Sequence, residues 1–341
     1  MTSIRKSVLA LVALATFTAA ASAHAEILIN GAGATFPYPL YSKWFSEYAK
    51  IDRSVKFNYQ SIGSGGGIKQ ITARTVDFGA SDKSLSDQEL AAAQGKLLHI
   101  PTVMGAVVVT YNLPGIGKGV KLTPDVLAQI YQGKIVSWSD PKIKKDNAAL
   151  NLPNKPIIVV HRSDGSGTTS IFTDYLCAVS PEWAKRVGKG ASVKWPVGLG
   201  GKGNEGVAGQ IKTTPYTIGY VELAYAFENR LPFAFVKNSA GAFVEPSIDS
   251  TSAAAAGASK SMPADYRISL VNQPGKNAYP IVGFTWLLVY QDQKDKVKGR
   301  KLVEFLNWEL KQGQKMAAKM LYAPLPANVA KMVQKTIGTI K

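Results

Sequence analysis

The chain has 341 residues, 46% of them hydrophobic, with one cysteine and a formal net charge of +17. That is enough length and apolar content for two packed domains. The single Cys177 excludes an internal disulfide, and only His99 and His161 follow residue 25, too few soft ligands for a zinc site.

The first 25 residues are expected to lie outside the fold. Arg5 and Lys6 precede an apolar run over 8–21, and Ala23-His24-Ala25 has the A-x-A form of a cleavage site. The expectation is an export signal cleaved after Ala25. No later segment is long and apolar enough to span a bilayer. A free thiol and no cysteine at the cleavage site to carry a lipid suit a Gram-negative periplasm. Export argues against nucleic acid, the usual partner of so basic a chain, and no nucleic-acid motif is present. A positive field that gathers a small anion fits better. The lysine-rich stretch 294–301 reads as a solvated helix face.

Ile27-Leu28-Ile29-Asn30 reads as a short strand, followed by a Gly-rich turn. Thr35 and Phe36 then stand at the start of an amphipathic helix with Leu40, Tyr41, Trp44, Phe45 and Tyr48 on one face. Residues 55–59 alternate as a strand and lead into a second Gly/Ser loop, 61–67, which contains Ser64 and opens a helix through Ile68 and Ile71. Residues 76–82 read as a strand ending on Asp82, and Ser86 to Glu89 is a capping box. A long apolar strand covers 103–109, and Thr123-Pro124 opens a helix.

The strongest local signal is Arg162-Ser163-Asp164-Gly165-Ser166-Gly167-Thr168-Thr169, between a buried strand at 156–160 and a helix carrying Ile171, Phe172 and Leu176. The first N–H groups of a helix have no internal partner, and its dipole favours negative charge there. Gly165 and Gly167 permit close approach, Ser166 and Thr168 add hydroxyl donors, and Arg162 supplies a fork of donors suited to oxyanions. An ordinary helix cap with a surface arginine is the plain alternative.

Further on, 198–203 matches G-x-G-x-x-G, but Trp195-Pro196 before it is no buried strand, so a structural Gly-rich loop is the better reading. The alanine-rich stretch 252–261 reads as a surface helix or loop. An apolar strand over 278–290 and three helical segments close the chain. The loop 63–69 lacks the second glycine of a phosphate-cradling Walker motif, and Asp164 replaces the first glycine of a nucleophile elbow around Ser166. Nothing near His161 spells a catalytic triad, so hydrolysis is disfavoured without being excluded. Strands alternating with helices imply an α/β fold with mostly parallel sheets, whose ligands bind beyond the carboxyl ends of the strands. Three Gly/hydroxyl loops in that position can converge on one cleft.

GAGATFP (31–37), SIGSGGG (61–67), VDFGASD (76–82), RSDGSGTT (162–169), VKWPVGLGGKGNEG (193–206) and IGYVE (218–222) together resemble the periplasmic phosphate-binding proteins of high-affinity ABC phosphate-uptake systems. The resemblance spans nearly the whole chain after residue 25, with the motifs in the family's order. It implies an α/β, two-lobed type II periplasmic binding protein fold with a ligand cleft between lobes. One lobe is then 26–107 plus 276–341 and the other 108–275. It also implies phosphate contacts at Thr35, Phe36, Ser64, Asp82, Arg162, Ser166, Gly167 and Thr168, with Asp164 holding Arg162. Gly65 and Ser163 depart from familiar patterns, where some relatives have Ser and Ala; neither is a principal contact. The implied partners are inorganic phosphate and an ABC transporter membrane permease complex, with no cofactor, no metal and a monomeric chain. Asp82 is the oddity: a carboxylate in an anion site makes sense if the ligand still carries a proton, as hydrogen phosphate does and sulfate does not. The alternatives are an exported phosphatase-like protein and a receptor for another oxyanion using the same cleft.

Overall fold

The computed structural model describes residues 26–341; the expected export signal lies outside the described residues. Eleven strands are found there: β1 (Ile27–Gly33), β2 (Val55–Ser61), β3 (Phe78–Ser81), β4 (Leu97–Tyr111), β5 (Lys121–Leu122), β6 (Ile158–Arg162), β7 (Leu199–Gly201), β8 (Thr217–Glu222), β9 (Phe235–Lys237), β10 (Phe243–Val244) and β11 (Val282–Tyr290). Eight of them form one sheet in the order β2-β1-β3-β11-β4-β8-β6-β7, and β10-β9-β5 form a small second sheet.

Strand β4 organises the molecule. All its residues but Leu98 are buried, the signature of a strand covered on both faces. From Leu97 to Ala106 it pairs antiparallel with β11; from Val107 to Tyr111 it pairs antiparallel with β8. The partner changes between Ala106 and Val107. On one side stand the parallel strands β2, β1 and β3, on the other the parallel strands β8, β6 and β7. Four of the seven pairings in this sheet are parallel, and the three that involve β4 or β11 are antiparallel. The strands that carry the chain between lobes run antiparallel to their neighbours, a reversal that local periodicity does not encode.

Opposite the bond between Thr285 and Trp286 the register of β4 and β11 slips, leaving Thr102 between the paired residues Pro101 and Val103. Pro101 has no N–H to give to a ladder, so a bulge beside it in a central strand has a direct cause.

The helix Tyr38–Ile51 buries the expected apolar face, Leu40, Tyr41, Trp44, Phe45 and Tyr48, and Ser86 and Glu89 form the expected capping box. Three local expectations are revised. Strand β1 runs on through Gly31 to Gly33 rather than turning there, because Gly31 lies against the Phe78 ring of β3. The alanine-rich helix Ile248–Ala258 is packed inward on Thr251, Ala254, Ala255 and Ala258; small side chains let it lie close to its neighbours. In the basic stretch, Lys298 pairs with Asp77 and Lys301 with Asp52, so two of its lysines are tied to the fold.

Candidate functional site

Strands β1, β2 and β3 in one lobe and β6 and β7 in the other end at a common cleft. The loops after them carry, in turn, Thr35, Ser64, Asp82, the 162–169 segment and Gly203-Asn204. This is the place where parallel strands deliver their ligands. Thr35, Phe36, Ser64, Asp82, Arg162, Ser166, Gly167 and Thr168 are all buried there. The bonds among them join the two lobes.

In the second lobe Arg162 is the last residue of β6, its side chain 1% exposed. Its Nε and Nη2 donate to the two carboxylate oxygens of Asp164 at 2.7 and 2.6 Å, and its Nη1 donates to Thr168 Oγ1 at 3.3 Å. Burial alone would raise the Asp164 pKa, but these bonds, the guanidinium charge and the Gly203 N–H outweigh it and hold the carboxyl below its ordinary value. Arg162 is thus fixed in orientation and largely neutralised. Ser166 caps the helix Gly167–Val179 by accepting from the Thr169 N–H.

The opposite wall starts with Ser64, the first residue of the helix Ser64–Thr72. The two walls meet across the cleft: the Gly65 N–H donates to the Gly165 carbonyl at 2.8 Å, and the Gly167 N–H to Ser64 Oγ at 3.1 Å. Glycine is required at this seam. At Gly63 (φ +83°) a Cβ would lie 2.3 Å from Asp164 Oδ2.

Three hydroxyls in the cleft have a fixed polarity. A hydroxyl has one hydrogen to give and two lone pairs to fill. Ser64 Oγ accepts from the N–H groups of Asp82 and Gly167. Thr35 Oγ1 accepts from the Asn204 N–H and from Asn204 Nδ2. Thr168 Oγ1 accepts from Arg162 Nη1 and Asn204 Nδ2. With both lone pairs occupied, each hydroxyl can only donate. Among the described residues the hydrogens of Thr35 and Thr168 have no protein acceptor, and that of Ser64 reaches only Asp82 Oδ2, at 3.5 Å. The N–H groups of Phe36 and Thr168 likewise have no protein acceptor among the described residues.

Asp82 is the exception in this ring of donors. Thr285 Oγ1 donates to its Oδ1 at 2.8 Å, leaving Oδ2 with only the long contact to Ser64. The carboxyl is 3% exposed. Burial pushes its pKa up to about 7, against the pull of the Thr285 hydroxyl, the Arg162 charge and Ser64, while Asp164 adds to the rise. Thr285 is oriented in turn. The Tyr41 hydroxyl lies 2.7 Å from Thr102 Oγ1, and Thr102 Oγ1 donates to the Thr285 carbonyl at 3.2 Å. The bulge leaves Thr102 unpaired in register, and its hydroxyl bonds across to the Thr285 carbonyl.

Such a ring accepts a ligand whose surface is made of acceptor oxygens, with one proton where it faces Asp82. Ser166 is occupied as a cap, His99 accepts the Leu85 N–H in the first lobe, and His161 stacks on Trp195 with ring centroids 4.8 Å apart. Among the described residues no group of three His, Cys, Asp or Glu side chains is placed to hold a metal.

Sequence reading missed two residues that the fold brings to the site. Thr285 lies in a continuous apolar run and gives no local sign. Asn204 sits in the loop set aside as structural; its placement at the start of the helix Gly203–Thr213, after a short strand, is the signal that was available.

A family model described as a PBP superfamily domain matches residues 18–311. The phosphate-binding protein PstS of Pasteurella multocida is 48% identical over 307 residues, covering 90% of this chain and 88% of its own. The phosphate-binding protein PstS of Haemophilus influenzae is 47% identical over 309 residues, covering 90% and 91%. Among solved structures, a high affinity periplasmic phosphate-binding protein bound with phosphate superposes with a TM-score of 0.70 at 24% identity, over 91% of this chain and 93% of its own. A putative phosphate ABC transporter substrate-binding protein from Clostridium perfringens does so at 0.64 and 18%, over 88% and 100%. These two share the fold. The chain belongs to the PBP superfamily and, within it, to the family of the PstS phosphate-binding proteins.

Proposed function

We propose that this protein binds inorganic phosphate in the cleft between its lobes and hands it to the membrane permease of an ABC import system. The observation that carries the reading is the polarity of the cleft: three hydroxyls fixed as donors, facing a single buried carboxylate acceptor. Hydrogen phosphate has acceptor oxygens for the hydroxyls of Thr35, Ser64, Ser166 and Thr168 and for the N–H groups of Phe36 and Thr168, and one proton for Asp82. Arg162 gives charge-assisted bonds while Asp164 keeps its fork in place. Most of the ligand's charge is met by neutral dipoles, so no cluster of cations is buried.

The family relationship supports a role in binding rather than turnover. We further propose that the protein works in the periplasm after removal of residues 1–25, as a monomer that docks on its permease. The change of partner along β4 supports lobes of 26–107 plus 276–341 and of 108–275. The bonds from the Gly65 N–H to the Gly165 carbonyl and from the Gly167 N–H to Ser64 Oγ form only when the lobes are together, and a ligand that touches both walls favours that closed arrangement.

Equilibrium titration with phosphate, sulfate, molybdate and a phosphomonoester tests the reading. Tight binding of phosphate alone, without release of alcohol from the ester, is expected. Preference for sulfate, or hydrolysis of the ester, would overturn it. Small-angle scattering is expected to show compaction on adding phosphate.

A further inference from the structure

Asn204 belongs to the second lobe and reaches both walls of the cleft. It is fully buried. Its Oδ1 accepts the backbone N–H of Glu222 at 2.9 Å. That N–H cannot act as an acceptor, so it decides which end of the amide is oxygen and which is nitrogen. The Nδ2 group must then face the other way. There it donates to Thr35 Oγ1 at 2.7 Å and to Thr168 Oγ1 at 3.1 Å, one threonine from each lobe. The backbone N–H of Asn204, one of the unpaired donors of a helix start, donates to Thr35 Oγ1 as well, at 3.2 Å. Thr35 therefore has both lone pairs filled by this one residue, and Thr168 has one filled by it and the other by Arg162.

We propose that Asn204 is a positioning residue that does not itself need to touch the ligand: it sets Thr35 and Thr168 as obligate donors and so makes the closed cleft selective for an oxyanion. The inference rests on the phosphate reading of the site and adds to it the source of the site's polarity. Without the Nδ2 group each threonine regains a free lone pair and its hydrogen can rotate toward other acceptors. The anion must then reorder two hydroxyls on entering, and the lobes lose a bridge that spans them. The backbone bond from Asn204 survives side-chain truncation, so the loss is expected to be partial at Thr35.

A double-mutant cycle read by phosphate titration tests this, with Asn204→Ala, Thr35→Val and Thr168→Val made singly and in pairs. In the otherwise native protein Asn204→Ala is expected to weaken phosphate binding roughly 10- to 100-fold, the scale of one or two buried hydrogen bonds. In a Thr35→Val or a Thr168→Val background the same substitution is expected to cost several-fold less, because one of the groups through which it acts is gone. Asn204→Ser, which shortens the side chain with less loss of polarity, is expected to fall between. Equal fold-losses in all three backgrounds would overturn the proposal. So would a drop in ligand-free melting temperature that accounts for the whole loss of binding; either result would make Asn204 a packing residue. If the unaltered protein fails to bind phosphate, the functional reading falls first and this inference with it. If it binds and the cycle is additive, only the role of Asn204 falls.

Discussion

The two walls of the cleft are built from the same kind of part, a loop at the end of a parallel strand, yet they do different work. The wall that follows β6 and β7 holds the fixed cation, Arg162, and the carboxylate that orients it, Asp164. It also presents two helix starts, at Gly167 and Gly203. Any oxyanion of suitable size is attracted there. The wall that follows β1, β2 and β3 holds the lone acceptor, Asp82, backed by Thr285, and the lysine next to it, Lys83, is paired with Glu89. One wall supplies attraction and the other supplies choice. A receptor that must tell phosphate from sulfate needs the second as much as the first, because attraction by donors is nearly the same for both anions.

The sharpest way to break this division is Asp82→Asn. An amide can donate to an acceptor oxygen, so the penalty on sulfate disappears. Competition titration at pH 8.5 is expected to show the preference for phosphate over sulfate falling by roughly 30-fold or more, the cost of protonating at that pH a carboxyl whose pKa stands at about 7. A preference that stays intact would place selectivity elsewhere. Arg162→Ala should act on the other axis: both anions weaken together, by roughly 10^2- to 10^3-fold, since Asp164 is left as an unpaired buried charge. A selective loss of one anion in calorimetry would contradict the division of labour.

A pH series sharpens the comparison without mutation. Burial pushes the Asp82 pKa up to about 7. Only its protonated form can donate to sulfate, so sulfate binding should rise as pH falls. Between pH 8.5 and 5.5 the protonated fraction grows about 30-fold for a group with that pKa, and sulfate affinity should follow and then level off. Arg162→Ala in the same series should keep the direction of the curve. The smallest effect is expected for Thr285→Val. Loss of its hydroxyl removes a bond that favours the charged form of Asp82. The midpoint of the sulfate curve should move to higher pH, by about one unit or less, with phosphate affinity at pH 8 changed only a few-fold.

The attracting wall was legible in the sequence and much of the choosing wall was not. Arg162 to Thr169 is contiguous, so a strand, a Gly-rich loop and a helix start can be read together. Thr35, Ser64 and Asp82 come from three loops, and each taken alone is an unremarkable cap or turn; family resemblance, rather than local pattern, grouped them. Thr285 and Thr102 were out of reach, since their meeting with Asp82 and Tyr41 depends on a bulge between strands far apart in sequence. The antiparallel pairings of β4 and β11 were not legible for a related reason: strand direction is decided by which strands pair, and periodicity along one segment does not record it. Asn204 lies in a loop that failed as a nucleotide motif and that counted toward the family resemblance, but no ligand contact was assigned within it.

Strand β4 ties the two walls to one covalent ruler. Its register against β11 sets the height of one lobe, and its register against β8 sets the height of the other. Adding or deleting a single residue near Ala106 would turn every following side chain to the opposite face and slide one wall past the other by about 3.3 Å, more than the reach of any hydrogen bond across the cleft. Surface loops in such a chain can lengthen at little cost, but the number of residues in this strand is part of the binding site, although the strand contributes none of the predicted ligand contacts.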